Sequence, residues 1–178
     1  MKTIEILARI EGIELKEREL VDNWILITYD LPVPDGNKTR DIFLKKAPKI
    51  GAVMHSRSVY LMPLTPETEI AAYELAKVPN GDVFLWTTKV TNPEIQKKIT
   101  EFYDSYLEER VYEISKRIEK IQKFIVENKR GLAKRVLRKT TSLFNQLLFA
   151  TVQRGAKGII TELYELYKNL ETLTYELE

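Results

Sequence analysis

The chain has 178 residues, 44% of them hydrophobic and 30% charged, with 28 Lys and Arg against 26 Asp and Glu, which is the make-up of a soluble globular protein with a real core. It has no cysteine and one histidine, His55, which excludes disulfides, thiolate metal sites and multi-histidine sites within one subunit; any enzyme here must work with carboxylates, hydroxyls or amines. No apolar run approaches the roughly 18 to 20 residues of a membrane span, and Met1-Lys2-Thr3-Ile4-Glu5 lacks the uncharged core of a secretory signal, so a cytoplasmic protein is expected.

Residues 1–23 fit two patterns. Ile4, Ile6, Ala8 and Ile10 alternate as in a strand, while Ile6, Ile10 and Ile13 share a helical face; the segment is taken as accessory with its type open. A β-prone run follows from Trp24 to Asp30 and stops at Leu31-Pro32. After the turn signal Pro34-Asp35-Gly36-Asn37, the residues Ile42, Phe43, Ala47 and Ile50 recur at helical spacing. Residues 53–63 then read as a long strand or a bent strand pair.

Thr65 is a good N-cap with Pro66 at the first helical position, and Ile70, Tyr73, Glu74 and Ala76-Lys77 continue a short amphipathic helix that Pro79-Asn80-Gly81 ends. A last strand runs from Val83 to Val90, with Val83, Leu85 and Thr87 on one face and Phe84, Trp86 and Thr88 on the other. This order predicts an α+β fold, a ferredoxin-like sandwich over residues 24–91. The second sheet face then needs a cover, either a partner subunit or the rest of the chain.

Residues 92–178 are read as a helical region, a long-helix hairpin or three-helix unit. Asn92 caps a helix that starts at Pro93 and meets no glycine or proline up to Arg130. Ile95, Ile99, Phe102 and Tyr106 form one apolar series, and Leu107, Val111, Ile114, Ile118, Ile121 and Ile125 a second, offset by one residue. Gly131 is taken as a turn. The second helix is expected to bury Val136, Leu143, Leu147 and Leu148, and the segment Arg154–Gly158 to be a break or a small-residue contact. A third helix uses Ile159, Leu163, Leu166, Leu170, Leu173 and Leu177, with Tyr164, Tyr167 and Tyr175 at its edge.

Charge is the strongest functional signal. Between residues 116 and 139 stand ten basic residues (Lys116, Arg117, Lys120, Lys123, Lys129, Arg130, Lys134, Arg135, Arg138 and Lys139) against Glu119 and Glu127. That local excess of eight lies in a chain of net charge +2, and nucleic-acid phosphate is the commonest ligand of such a surface. Lys116, Lys120 and Lys123 fall opposite the isoleucine seam, and Arg130, Lys134, Arg135 and Arg138 would continue the stripe around the turn. The competing account is a solvated face paired with acidic residues of a neighbouring subunit. Aromatics do not interleave with these cations in the sequence, which favours tracking of the phosphate backbone over base stacking.

The segments Trp24 to Leu31-Pro32, Gly51-Ala52 and Ser58-Val59-Tyr60-Leu61-Met62-Pro63, with Phe102-Tyr103 and Glu108-Glu109-Arg110-Val111-Tyr112 further on, resemble the amino-terminal domain of the chromate-resistance regulator ChrB over about residues 24–125. The strand pattern is also similar to the sandwich domain of the repressor PaaX and to small ferredoxin-like CRISPR-adaptation proteins of the nuclease type. The carboxyl-terminal domain of full ChrB and the winged helix of PaaX have no counterpart here. The nuclease likeness implies that Asp30, at the end of the first strand, holds Mg²⁺ jointly with its copy across a dimer axis; the competing account has Asp30 accepting hydrogen bonds from the turn that follows. His55, Ser56, Arg57 and Ser58 could bring a base, hydroxyls and a cation near it, or simply face solvent.

The preferred expectation is a non-catalytic, homodimeric, ChrB-like regulatory or accessory protein that binds nucleic acid through Lys116, Lys120, Lys123, Lys129, Arg130, Lys134, Arg135, Arg138 and Lys139, with no cofactor. The alternatives are a Mg²⁺-dependent nuclease centred on Asp30 and a protein that docks its basic face on an acidic partner protein.

Overall fold

The computed structural model describes residues 20–31, 38–78 and 81–178. Residues 1–19 of the accessory segment, the turn at 34–37 and Pro79-Asn80 lie outside the described residues.

The first strand, β1 (Asn23–Asp30), leads by way of α1 (Lys38–Lys46) and a 3-10 turn (Ala47–Ile50) to β2 (Val53–Ser56) and β3 (Val59–Pro63). Helix α2 (Pro66–Ala76) and strand β4 (Asp82–Lys89) complete the sheet region. The sheet order is β2-β3-β1-β4 with every neighbour antiparallel, the split arrangement of a ferredoxin-like sandwich. Residues 53–63 are a strand pair, and the strand that begins at Trp24 lies beside the one that ends at Pro63, Trp24 opposite Pro63. Gly81, at the entry to β4, packs against Leu31: a Cβ there would stand 2.3 Å from Leu31 Cδ2, so that the leucine side chain would have to shift.

One sheet face carries the core. Ile25, Ile27, Tyr29, Tyr60 and Met62 bury against Phe43 and Ala47 from α1 and its 3-10 extension and Ala72 and Leu75 of α2, with Val83 and Leu85 half-buried beside them. The Phe43 ring stands 4.6 Å from Tyr29 and 5.8 Å from Tyr60, and burial of such a side chain stabilises by about 1.5–3 kcal/mol.

Helix α2 turns a different side inward from the one its apolar residues suggest. Ile70 and Tyr73 are exposed, while Thr68, Ala72 and Leu75 are buried. The buried hydroxyl of Thr68 donates to Pro63 O at 2.6 Å, and its N–H donates to the Thr65 cap, so this polar residue is satisfied inside.

Helix α3 (Pro93–Val126) begins as expected, with Asn92 Oδ1 accepting from Glu94 N and Ile95 N at 2.9 and 3.2 Å. Its apolar phase differs from the expected slip. Ile95 and Phe102 are exposed and Ile99 and Tyr106 half-buried, whereas Thr100, Tyr103, Leu107, Val111, Ile114, Ile118 and Ile121 are buried in one unbroken seam. The spacings of that seam, three and four residues throughout, keep a single helical face, and the polar Thr100 hid its beginning. Near its start, α3 covers part of the second sheet face: the Trp24 and Tyr103 rings meet edge-on at 5.6 Å, Tyr103 OH donates to Gly51 O at 2.6 Å, and Val21 N donates to Thr100 Oγ1 at 3.3 Å. Phe84 and Trp86 on the same face stay exposed.

Compactness divides the chain inside α3, with Glu19–Tyr106 in one unit and Leu107–Glu178 in the other. The second unit holds the rest of α3, then α4 (Arg130–Arg154) and α5 (Lys157–Leu177), so that three helices follow the sandwich. The turn between α3 and α4 is Glu127-Asn128-Lys129, with Asn128 at φ 55°, and Gly131 belongs to the first turn of α4. Helix α4 buries Ala133, Leu137, Thr140, Phe144, Leu147, Leu148 and Thr151 in place of the expected Val136 and Leu143, which are half-buried. Thr140 and Thr151 donate to the carbonyls of Val136 and Leu147, so hydroxyls fit the buried seam. Of the two readings of Arg154–Gly158, the structure has the break: Gly155 caps α4 at φ 72°, its N–H on Thr151 O and Val152 O. Tyr167 packs on Phe144 at 6.2 Å; Tyr164 and Tyr175 are exposed.

Candidate nucleic-acid interface

Lys116, Lys120 and Lys123 project from α3 on the side away from the buried Ile114, Ile118 and Ile121, so that all three are exposed. Their charge is partly answered within the helix. Lys116 pairs with Glu119 at 3.0 Å, Lys123 with Glu127 at 3.9 Å and Lys129 with the same Glu127 at 2.7 Å. Just before them, Glu113 is gripped by Arg117 at 2.7 Å and by Arg110. The acidic partners thus come from the same helix and the turn after it.

The electrostatics follow this pairing. Hydrogen bonding to Glu119 raises the Lys116 ammonium above its usual range, and a hydrogen bond from Lys129 holds the Glu127 carboxyl below its own. Burial pushes the Glu113 carboxyl up, yet hydrogen bonds from Arg117 and Arg110 outweigh it and hold the group below the usual carboxylate range.

Aromatics do stand among these lysines, contrary to the expectation from the linear sequence. Lys116 Nζ lies 5.4 Å from the centre of the exposed Tyr112 ring, and Lys120 Nζ 5.7 Å from that of Phe124. The interleaving is hidden in the linear sequence because it arises at a spacing of four along the helix. Lys116, Lys120, Lys123, Lys129 and Phe124 line one groove of about 570 Å³ together with Glu119 and Glu127. Four lysines against two glutamates leave it a net charge of +2.

The α4 residues differ. Arg130 donates to Glu176 O at 2.7 Å, a carbonyl at the negative end of α5, which gives this arginine a structural task. Lys134, Arg135, Arg138 and Lys139 are exposed and have no ion-pair or hydrogen-bond partner among the described residues. The sequence holds no Asp or Glu between Glu127 and Glu162, so α4 carries no acidic residue at all. Lys134 and Arg138 line a second groove, of about 430 Å³, with Leu137, Thr141, Thr174, Leu177 and Glu178. The stripe expected from the sequence is therefore divided: the α3 cations share a groove with acids, and the α4 group, +4 over Lys134 to Lys139, stands largely uncompensated.

At the end of β1, Asp30 is exposed and lies opposite Asp82 of β4, also exposed. Asp82 carries no signal in the linear sequence, because only the strand order brings it beside Asp30. Like charges directly opposite on neighbouring strands are unfavourable. Two carboxylates there could supply part of the oxygen shell of a Mg²⁺ ion, with water or a substrate phosphate supplying the rest. Among the described residues no group of three His, Asp or Glu residues is arranged to hold a metal. The turn after Asp30, expected to satisfy its carboxylate, lies outside the described residues.

His55 is the extra residue of a bulge, since Met54 faces Tyr60 and Ser56 faces Val59. The bulge directs its ring to Phe102 of α3, at 5.3 Å. Arg57 and Ser58 form the hairpin turn, where the Arg57 carbonyl accepts from Tyr29 OH at 2.7 Å. None of these contacts involves Asp30.

No family model matches the chain, and no curated protein matches it either. Among the described residues no helix is long and apolar enough to cross a membrane.

Proposed function

We propose that this is a cytoplasmic, ChrB-like regulatory or accessory protein that binds nucleic acid, and that the α4 cations Lys134, Arg135, Arg138 and Lys139 make its principal phosphate contacts. The observation that carries this reading is that these four side chains stand exposed, without partners among the described residues, on a helix without an acidic residue. Self-repulsion of four cations within six residues costs stability, and a polyanion relieves that cost. Lys116, Lys120, Lys123 and Lys129 add weaker attraction, because Glu119 and Glu127 already answer half of their charge. Contacts of this kind read phosphate geometry and carry little sequence information.

The test is fluorescence anisotropy with labelled duplex and single-stranded DNA across a salt series. Affinity for the duplex should fall steeply with salt. Replacement of Lys134, Arg135, Arg138 and Lys139 by Gln should reduce the slope of log K against log salt by about 3 to 4, at about 0.9 per phosphate contact. Absence of binding at low salt, or an unchanged slope in the fourfold variant, rejects the reading; the former leaves docking on an acidic protein in front.

The Asp30 and Asp82 pair supports a second reading, a Mg²⁺-dependent nuclease. It requires cleavage that needs Mg²⁺ and is lost in Asp30→Asn; cleavage that survives in this variant removes the site.

A further inference from the structure

Among the described residues β4 is the outer strand of the sheet, and all eight of its residues pair with β1 in one continuous register. An open edge presents a row of unpaired N–H and C=O groups, which sheets usually guard with a proline, an inward charge, a bulge or a short strand. Between Asp82 and Lys89 the sequence Val83-Phe84-Leu85-Trp86-Thr87-Thr88 has none of these guards. On the face away from the core, Phe84 and Trp86 are 51% and 56% exposed, and the Trp86 indole N–H donates to Thr28 Oγ1 at 3.1 Å.

The backbone fixes which groups are on offer. Val90 N donates to Asp22 O at 2.7 Å, so by antiparallel alternation Thr88, Trp86 and Phe84 direct their backbone groups to β1, and Val83, Leu85, Thr87 and Lys89 direct theirs outward.

We infer that a second copy of this chain pairs with β4 along this edge, antiparallel about a two-fold axis at Leu85, to join two four-stranded sheets into one of eight strands. In that register Leu85 faces its own copy, Val83 faces Thr87, and Phe84 of each copy lies opposite Trp86 of the other in the close, non-hydrogen-bonded pairs. The end charges fit this direction, because the Asp82 end of one strand lies beside the Lys89 end of the other, with the two side chains on opposite sheet faces, whereas parallel pairing sets Asp82 against Asp82 on one face. A fully covered aromatic buries 150–250 Å², so four half-exposed rings supply roughly 300–500 Å². That is well under the roughly 1,200 Å² of a stable interface; the dimer is therefore reversible and dependent on concentration.

The experiment is sedimentation velocity of the full chain over a concentration series, with circular dichroism to verify the fold of each variant. The wild-type chain should pass from monomer to dimer, and Phe84→Lys and Trp86→Glu should each hold it monomeric. The double variant F84K/W86E should dimerise again, because Lys then meets Glu twice across the axis. As the chain has no cysteine, Leu85→Cys gives a reading independent of the charge variants: copies about 5.5 Å apart at this position should be joined by a short bifunctional thiol reagent, and copies of Ser56→Cys, on the strand at the opposite edge, should not. A wild-type monomer throughout, a dimer indifferent to either single substitution, a folded double variant that stays monomeric, or Leu85→Cys chains that resist cross-linking would overturn the proposal.

Discussion

Glu113 joins charge to stability on α3. Its carboxyl is held below the usual range by Arg117 and Arg110, so the folded state favours the ionised form. A depressed carboxyl contributes stability that is present above its ordinary value of 4.5 and lost as pH falls through the lower folded value. Glu113→Gln should therefore lower the melting temperature at neutral pH, and the difference from wild type should shrink as pH drops below that value; a difference constant from neutral to acid pH would exclude this pair as its source. Tyr103 is a second such residue. Tyr103→Phe leaves the buried Gly51 carbonyl without its 2.6 Å donor and should cost about 1–3 kcal/mol in denaturant unfolding.

Helix α4 carries the uncompensated cations, and its limits are set by the backbone. Gly155 closes it at φ 72°, a conformation that costs an L-residue about 1–2 kcal/mol, so Gly155→Ala should destabilise by that amount in thermal unfolding. The contrast between α3 and α4 can be tested at the same scale. Lys116→Gln with Lys123→Gln removes two exposed ion pairs that solvent screens and should change DNA affinity much less than Arg135→Gln with Arg138→Gln. Equal losses from the two pairs would show that intrahelical pairing does not decide which cations meet phosphate.

In the whole molecule, α3 belongs to both compact units and its buried seam crosses their boundary at Tyr106 and Leu107. Shared secondary structure couples unfolding. Both tryptophans, Trp24 and Trp86, lie in the sheet unit, while most helix lies beyond Tyr106. Tryptophan fluorescence and far-ultraviolet circular dichroism should accordingly report one coincident denaturant transition; two separated midpoints would mean that the units unfold independently in spite of the common helix.

The ferredoxin-like order was legible in the sequence, because turn residues and proline stops bound each strand and because Thr65 and Asn92 are caps whose local hydrogen bonds need no tertiary context. The density of cations from Lys116 to Lys139 was equally plain, since charge is carried by composition. Helical phase was not, where polar or small residues line a buried seam: Thr100, Thr68 and Thr140 are inside because their neighbours fix the face, while Ile95, Ile70 and Tyr73 stay out. Nor could linear order say which cations are answered. Glu127 takes up both Lys123 and Lys129, Arg130 reaches a carbonyl 46 residues away, and Asp82 comes to lie beside Asp30 only through the pairing of β1 with β4. Local chemistry determined the elements, and packing decided which of their faces and charges remain available.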